Sequence, residues 1–417
     1  TLTANFATIA GKTINHDGDE SGQKIVVRIP SASAAADLDN VLDNSNINDN
    51  SITFIFTETQ TFSGNLRSRV GSINTGLTIT STAAIMSGLT ITGDGSISVT
   101  SLEDTDTVNL SGITPTGTRT ATVSDNLTLN TSANLGTFTT KIADTFTLTA
   151  LYSQLTGKTF ESVSGTALIV ANIPSASNDG QLSTITITNI TLSAKFTETQ
   201  TFSGTLNGKA AEINSGVVVT TTVGKVTQTG SAAGAITGAG TITISDAVVG
   251  QNLSNINCGG VTFGETSPSF AATLTTDEAY TIAASKVITC ASAATLSGME
   301  ISGSGTIVIT GAVTNQDYDE INCGGVTFSG TSPSFAPTLT TDEQYTVGKT
   351  GETITLTCAD SSKITGQEFA TLNGGKIVIT NCAANADLNE ISAPITINGF
   401  AASPFTGTFK TGTSHTL

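Results

Sequence analysis

The stretch GTIVIT, residues 305–310, decides the fold, because a glycine leads directly into a run of β-branched residues. Such residues favour strands, and glycine favours tight turns. The signature occurs six times, and successive copies begin about 70 residues apart. The copies are GQKIVVRI from Gly22, GSISVT from Gly95, GTALIV from Gly165, GTITIS from Gly240, GTIVIT from Gly305 and GKIVIT from Gly375.

A second landmark follows shortly after each copy, with the pattern Leu or Tyr, two residues, then Ile or Val. It contains Leu38, Leu110, Leu182, Leu253, Tyr318 and Leu388. Longer identities support the repeat, since FTETQTFSG begins at Phe56 and again at Phe196. Six tandem repeats of about 70 residues are predicted: 1–72, 73–142, 143–215, 216–280, 281–345 and an incomplete 346–417.

The repeats predict an all-β protein with less than about a tenth of its residues in helices, because no segment has a sustained helical periodicity. Two architectures fit short strands at this spacing: a β-solenoid of about three coils per repeat, and a string of small β-sandwich domains. The solenoid is favoured because no linker rich in Pro or polar residues separates the units. The LxxI segments are predicted to be short corners that point an aliphatic residue inward.

Composition and charge exclude some partners. The 16 Lys and Arg residues against 33 Asp and Glu give a net charge of −17, which argues against binding to nucleic acid. No apolar run reaches the length of a membrane span, so no membrane-spanning segment is predicted. The chain starts at Thr1 without a Met or a signal peptide, and we expect a processed mature chain or a fragment.

This repeat style resembles the Thr- and Gly-rich β-strand repeats of bacterial and archaeal surface-layer proteins, large adhesins and extracellular filaments. The resemblance covers nearly the whole chain and implies an extracellular or cell-surface location. We expect a non-enzymatic structural subunit that polymerises with itself into a filament, sheath or surface layer. The alternative is an adhesive or stalk segment of a larger surface protein that binds glycans or cells.

The five cysteines suggest disulfides. Cys258 and Cys323 occupy equivalent INCGG segments, and Cys290 and Cys358 follow each of them in equivalent strands. Two pairings are open: Cys258 with Cys290 plus Cys323 with Cys358, or Cys290 with Cys323. The first is favoured because repeats that lack one cysteine of the pair also lack the other. Cys382 has no counterpart and is predicted to be a free or intermolecular thiol. Disulfides would imply an oxidising compartment.

Two further kinds of site are candidates. The segment NHDGDESG places Asp17 and Asp19 at alternating positions, as in calcium loops, although a solvated acidic turn is the favoured interpretation. No other cofactor is expected. Five sequons would suit a glycosylated exported protein: Asn109, Asn126, Asn130, Asn189 and Asn252.

Catalysis has little support in the sequence. His16 and His415 lie near opposite ends, and neither context suggests a catalytic base. The pairs Asp277 with Glu278 and Asp342 with Glu343 could serve a polysaccharide-degrading solenoid enzyme, but they recur in equivalent turns and are interpreted as structural. No catalytic residue is predicted.

Threonine alternation, as in TITIT from Thr184, resembles the threonine ladders of ice-binding faces. Such a face needs its motif in register on every coil, and the Thr-rich strands are irregularly spaced in the sequence. Threonine facing solvent on a half-buried strand is therefore the favoured interpretation.

Assembly is predicted from the repeat phase. Gly22 lies close to Thr1, and Gly375 lies less than one repeat before Leu417, so neither end holds a whole repeat. We expect the last strands, around ITINGF and FTGTFKTG, to complete the first repeat of the next subunit head-to-tail by strand addition.

Overall fold

The computed structural model describes residues 1–14, 24–43, 52–67, 69–102, 108–227, 234–401 and 404–417. The chain is a parallel β-solenoid of about 18 turns with a turn spacing of about 21 residues, with 42% strand and 9% helix. The all-β class, the solenoid and the low helix content are therefore confirmed. About three turns of this spacing make up one sequence repeat, and the six repeat boundaries remain predictions.

The chain divides into two compact units, residues 1–173 with 182–194 and residues 174–181 with 195–417. The strands that begin in unit 1 are β1 (Leu2–Asn5), β2 (Thr13–Ile14), β3 (Ile25–Ile29), β4 (Leu42–Asp43), β5 (Ile52–Phe56), β6 (Gln60–Thr61), β7 (Val70–Ile73), β8 (Thr78–Ser81), β9 (Thr90–Gly93), β10 (Ser96–Val99), β11 (Arg119–Val123), β12 (Leu127–Thr128), β13 (Thr139–Ile142), β14 (Thr147–Leu151), β15 (Thr159–Glu161), β16 (Ala167–Ile173), β17 (Thr186–Thr188) and β18 (Ile190–Phe196).

The strands of unit 2 are β19 (Gln200–Thr201), β20 (Ala210–Ile213), β21 (Val218–Thr221), β22 (Ile236–Gly238), β23 (Thr241–Ile244), β24 (Ile256–Asn257), β25 (Val261–Phe263), β26 (Ser267–Phe270), β27 (Tyr280–Ile282), β28 (Val287–Cys290), β29 (Ile301–Gly303), β30 (Thr306–Ile309), β31 (Asp317–Tyr318), β32 (Ile321–Asn322), β33 (Val326–Phe328), β34 (Thr338–Leu339), β35 (Gln344–Gly348), β36 (Thr355–Cys358), β37 (Glu368–Leu372), β38 (Lys376–Ile379), β39 (Asp387–Leu388), β40 (Ile395–Ile397), β41 (Thr408–Phe409) and β42 (His415–Thr416).

Unit 1 contains a five-stranded sheet in the order β1-β3-β5-β7-β9, a seven-stranded sheet β17-β15-β13-β11-β10-β8-β6, the pair β2-β4 and the run β12-β14-β16. Unit 2 contains the run β20-β22-β24, a seven-stranded sheet β19-β21-β23-β25-β27-β29-β32, a six-stranded sheet β26-β28-β30-β33-β35-β37, the four strands β36-β38-β40-β42 and the pairs β31-β34 and β39-β41. Neighbouring strands come from successive turns and run parallel, as expected of a chain wound into coils.

Helical structure is limited to single turns. The α-helical turns are α1 (Phe6–Ile9), α2 (Ala83–Met86), α3 (Tyr152–Leu155) and α4 (Val223–Val226). The 3-10 turns are Ser31–Ser33, Leu38–Asn40, Ser175–Ser177, Leu182–Thr184, Ala293–Leu296 and Ser361–Lys363.

The core is a stack of aliphatic and aromatic ladders. In β10, Ile97 and Val99 are buried whereas Ser96 and Ser98 are half-buried, because alternate side chains of a strand point to opposite faces. Parallel register places Ile97 beside Ile79 of the preceding turn. Burying such a side chain contributes roughly 1.5–3 kcal/mol, so each turn stabilises its neighbours.

An edge-to-face phenylalanine pair recurs in the core. In FTETQTFSG the rings of Phe56 and Phe62 lie 5.3 Å apart, and those of Phe196 and Phe202 lie 5.0 Å apart. Unit 2 repeats the arrangement twice more, at Phe263 with Phe270 and at Phe328 with Phe335. Each pair contributes about 0.5–1.5 kcal/mol beyond its buried area.

Three copies of the first sequence landmark, those at Gly95, Gly240 and Gly305, begin with a Gly-x-Gly corner. Gly238 has φ 108°, and a Cβ there would lie 2.2 Å from the carbonyl oxygen of Ile213 in the preceding turn. A Cβ on Gly240 would lie 2.3 Å from a methyl group of the same isoleucine. Only glycine lets the chain turn this closely against the turn before it.

Candidate functional site

Outward-facing hydroxyl groups form a continuous column in unit 1. Parallel pairing sets one Thr or Ser of each strand beside the next, and neighbouring strands lie about 4.8 Å apart. All members are half-exposed or exposed. The unit 1 hydroxyl column consists of Thr61, Thr80, Ser98, Thr120, Thr139, Thr159 and Thr186.

Unit 2 carries the equivalent column. Thr61 and Thr80 correspond to Thr201 and Thr220, which lie two repeats later in the chain. The unit 2 hydroxyl column consists of Thr201, Thr220, Thr243, Thr262, Thr281 and Ser302, and it ends at Asn322.

These threonines are in register although they are irregularly spaced in the sequence. The sequence step from Thr80 to Ser98 is much shorter than that from Thr159 to Thr186, yet both pairs are directly aligned. The corners and loops absorb the difference in length, so irregular spacing in the sequence becomes regular spacing in space. The interpretation as outward-facing threonine on half-buried strands agrees with the burial pattern of these strands.

The second sequence landmark is a corner built on an Asx turn. At Asn252 the side-chain Oδ1 accepts a hydrogen bond from the backbone N–H of Ser254 at 2.9 Å, and Leu253 between them is buried. Ile256 N–H then donates to the Leu253 carbonyl at 3.0 Å. The same Asx hydrogen bond occurs at Asp37, Asn109, Asp317 and Asp387. The prediction of short corners with an inward aliphatic residue is confirmed.

All five sequon asparagines are exposed. In three of them, Asn109, Asn130 and Asn252, Oδ1 accepts hydrogen bonds from both the N–H and the hydroxyl of the sequon serine. Aspartate takes the same role in other corners, at Asp37 and Asp387. An Oδ acceptor therefore has a structural role in these corners, which accounts for these three sequons without a glycan, and glycosylation at all five sites stays a prediction.

Glu278 and Glu343 are buried carboxyl groups of two equivalent corners. Each accepts the backbone N–H of a cysteine one turn earlier: Cys258 at 2.7 Å and Cys323 at 2.6 Å. Burial raises the pKa of both glutamates. The neighbouring Asp277 and its equivalent in the next repeat are exposed, so the members of each acidic pair face different environments.

The tyrosine two residues after each buried glutamate closes the same corner. Tyr280 Oη accepts the backbone N–H of Thr275 at 3.0 Å, and Tyr345 Oη accepts that of Thr340 at 3.2 Å. Burial raises the pKa of Tyr280 to about 12. The repeated TTDE segments thus join successive turns.

All five cysteines are free thiols in this structure. Cys290 and Cys358 lie in core ladders beside Ile309 and Ile379, and burial raises the pKa of each thiol to about 12. Cys258 is half-buried, and its thiol donates to the Gly260 carbonyl at 3.4 Å. Burial raises its pKa to about 11. The thiols serve here as small apolar groups.

The predicted disulfide pairing stays a prediction. Cys323 repeats the environment of Cys258, with burial raising the pKa of its thiol to about 12. Cys382 is buried as well, and burial raises its pKa. Protonated thiols are poor nucleophiles, so none of the five is activated for chemistry in this arrangement.

The remaining sequence candidates lie apart from these corners. Asp17, Asp19 and His16 fall outside the described residues. His415 stacks on Phe409 with ring centroids 4.7 Å apart. Within the described ranges, no cluster of three or more His, Cys, Asp or Glu side chains could hold a metal ion. The helices among the described residues are too short to cross a membrane.

A surface pocket of about 290 Å³ opens beside the unit 1 hydroxyl column. Its outward residues Thr122, Lys141 and Glu161 are aligned on successive turns, two positions after column members. Ala143 and Val163 supply apolar surface, and Val163 is 88% exposed. Opposite charges, hydroxyls and apolar surface therefore converge at one place.

Asp144 holds the rim of this pocket in place. Its Oδ1 accepts hydrogen bonds from the Ser162 hydroxyl at 2.6 Å and from the Ser164 backbone N–H at 2.9 Å. These bonds, that from Ser162 foremost, lower the pKa of Asp144 and favour its charged form. Val163 lies between the two serines, so a defined turn presents its exposed side chain.

Sequence reasoning missed the pocket residues. Lys141 and Glu161 are far apart along the chain, and each looks like an ordinary surface charge. The signal that could have found them is their departure from the repeat: Lys141 follows Thr139 by two positions, whereas Ala283 follows the equivalent Thr281.

Neither protein-family models, nor curated proteins, nor solved structures provide a match to this chain.

Proposed function

We propose that the chain is a structural subunit of an extracellular filament, sheath or surface layer. The observation that carries the proposal is that polar residues shared by equivalent turns are used to join one turn to the next. Glu58 accepts hydrogen bonds from the backbone N–H and hydroxyl of Ser31, and Glu198 accepts the same pair from Ser175.

Other recurring polar residues follow this rule. Ser81 and Thr221 donate their hydroxyls at 2.8 Å to the carbonyls of Phe62 and Phe202 in the preceding turns. The Ser267 and Ser332 hydroxyls accept backbone N–H groups from earlier turns at 2.9 Å. A chain whose repeated chemistry serves turn stacking suits a mechanical role, and the resemblance to surface-layer and filament repeats points the same way.

Self-association by strand contacts is the proposed mode of assembly. Within this chain, β1 pairs on one side with β3, and β42 pairs on one side with β40. Strand edges are templates for another chain, and a head-to-tail contact that does not close produces a filament.

Negative-stain micrographs of the purified protein test the proposal, with regular fibres or sheets as the expected result. Deletion of Ser403–Leu417 should abolish polymerisation, while circular dichroism still reports a β-rich fold. The full-length chain under the same conditions is the control. Fibres of normal length from the truncated chain would refute head-to-tail assembly and leave lateral contacts as the mechanism.

A second candidate function is an adhesive or stalk segment of a larger surface protein. The pocket beside the unit 1 hydroxyl column favours it, because its charged pair is replaced by Ala283 and Ser304 at the equivalent positions of unit 2. Discrete rods, rather than fibres, in the same micrographs would support this candidate.

A further inference from the structure

Lys141 and Glu161 are polar residues that do not recur at the equivalent positions of unit 2, where Ala283 and Ser304 stand. The position equivalent to Lys141 in unit 2 is Ala283, next to the matching hydroxyl column. A small apolar residue thus meets the stacking requirements at this position. Stacking of the turns therefore does not require the charged pair that unit 1 carries there.

Both charged groups are available to a ligand. Among the described residues, neither Lys141 nor Glu161 forms an ion pair. By contrast, the surface residues Lys195 and Glu212 pair with each other at 2.9 Å. Lys141 is exposed and Glu161 is half-buried, and their backbones are adjacent in the sheet.

The apolar part of the pocket is equally available. The side chain of Val163 is exposed, so burial does not stabilise it. The two hydrogen bonds to Asp144 nevertheless hold its turn at the rim of the pocket. Ligand sites commonly combine apolar lining with a few convergent polar groups.

We infer that the pocket and the unit 1 hydroxyl column together bind a neutral polysaccharide chain. Sugar hydroxyls both donate and accept, so they match an ammonium and a carboxylate side by side through charge-assisted hydrogen bonds. The apolar C–H faces of the sugar rings would pack on Val163 and Ala143. The threonine hydroxyls continue the polar track in steps of about 4.8 Å.

Charge selects the neutral class of polymer. The chain carries a net charge of −17, and Glu161 lies in the pocket itself, so a polyanion would be repelled. The inference rests on the second candidate function, adhesion, and does not require that the protein forms filaments.

Isothermal titration calorimetry of the full chain tests the inference with soluble neutral probes: cellohexaose, laminarihexaose, maltohexaose and N-acetylchitohexaose. Hexagalacturonate serves as the anionic probe. The test variant is Lys141→Met with Glu161→Gln, and Val163→Ser tests the apolar contact. The matched control is Lys195→Met with Glu212→Gln, which removes a surface pair of the same composition from unit 2.

We expect at least one neutral hexasaccharide to bind, and the Lys141 and Glu161 variant to weaken binding by about tenfold or more, as the loss of charge-assisted hydrogen bonds requires. Val163→Ser should weaken binding by about threefold or more, because apolar contact area is lost. The Lys195 and Glu212 control should stay within about twofold of the wild-type affinity. Circular dichroism of each variant verifies folding.

Three outcomes would overturn the inference: no neutral probe binds the wild-type chain at millimolar concentration, the control loses as much affinity as the test variant, or only hexagalacturonate binds. Micrographs of the test variant separate this result from the proposed function. Normal fibres with lost saccharide binding would support the pocket and leave filament formation intact, whereas lost fibres with intact saccharide binding would assign Lys141 and Glu161 to assembly and overturn the pocket.

Discussion

Single buried polar residues reveal where the stacking of turns is imperfect. Thr140 lies in a core ladder between Ala121 and Phe160, fully buried, and its hydroxyl has no hydrogen-bond partner among the described residues. An unsatisfied buried polar group costs about 1–3 kcal/mol. The equivalent position in unit 2 is Ile282, so the ladder accepts an aliphatic residue there.

Thr140→Val should therefore raise the free energy of unfolding by about 1 kcal/mol, because the methyl group replaces an unpaired hydroxyl of the same size. Urea unfolding, monitored by the amide exchange of β11, β13 and β15, measures this change in the free energy of unfolding. Thr139→Val, on the same strand but facing outward, is the control and should change stability by less than about 0.5 kcal/mol. Equal or lower stability of the Thr140 variant would contradict the assignment.

The two buried glutamates predict a pH dependence. Burial raises the pKa of Glu278 and Glu343, so the folded chain holds these protons more tightly than the unfolded chain, where a Glu pKa is about 4.3. The stabilisation of the fold that results from this tighter proton binding is fully present below the unfolded-state pKa. It is lost as the pH rises through the raised folded-state pKa. The double variant Glu278→Gln with Glu343→Gln removes both ionisable groups. Its free energy of unfolding relative to wild type should therefore be more favourable at about pH 8 than at about pH 4.

Urea titrations of wild type and variant at both pH values measure the difference. Glu198→Gln is a reference of opposite sign, because the hydroxyl of Ser175 lowers the pKa of Glu198. The contribution of Glu198 to the stability of the fold is present above its unfolded-state pKa. It is lost as the pH falls through the lowered folded-state pKa. A pH dependence of the same sign in the Glu278 and Glu343 double variant and in Glu198→Gln would contradict the raised pKa of the two buried glutamates.

At the level of the structural element, the Gly-x-Gly corner is the strictest requirement. Gly238→Ala should lower the free energy of unfolding by about 1–3 kcal/mol or more, because the backbone is left-handed there and the new Cβ meets the Ile213 carbonyl. Gly224→Ala is the matched control. It lies in α4, where a Cβ would have no atom within 4 Å, and it should stabilise by about 0.4–1 kcal/mol. Thermal unfolding measures both variants, and equal stability would show that the corner tolerates a side chain.

The Asx corner yields a prediction that also separates structure from glycosylation. Asn252→Asp keeps the Oδ acceptor and removes the sequon, whereas Asn252→Ala removes both. In protein produced without glycosylation, the alanine variant should lose about 1 kcal/mol of stability and the aspartate variant less than about 0.5 kcal/mol. Denaturant unfolding measures both values. An aspartate variant as unstable as the alanine variant would show that Asn252 does more than accept hydrogen bonds.

At the scale of the whole molecule, each turn contacts chiefly its neighbours, so the effects of a substitution should stay local. Hydrogen exchange followed by mass spectrometry should show faster exchange in β22 to β25 of the Gly238→Ala variant and unchanged exchange in β1 to β9. A uniform increase along the chain would indicate that the solenoid opens as a single cooperative unit.

Much of the architecture could be predicted from the sequence, because its causes are local. Glycine pairs mark corners, β-branched alternation marks strands, and the Leu of each LxxI segment points inward, all within a few neighbouring residues. The site could not be predicted in this way. Lys141 and Glu161 become neighbours only because one turn of the solenoid separates them, and turn length varies along the chain.

By itself, the sequence determined that this chain is built from short strands in tandem repeats, since backbone preference and side-chain alternation act within single strands and corners. Only the tertiary structure decided which residues share a ladder. It placed unevenly spaced threonines in one column and buried Glu278 against the backbone of Cys258. The physical reason is that parallel stacking fixes the register between turns through backbone hydrogen bonds and core packing, while loops of unequal length absorb the spacing that the sequence displays.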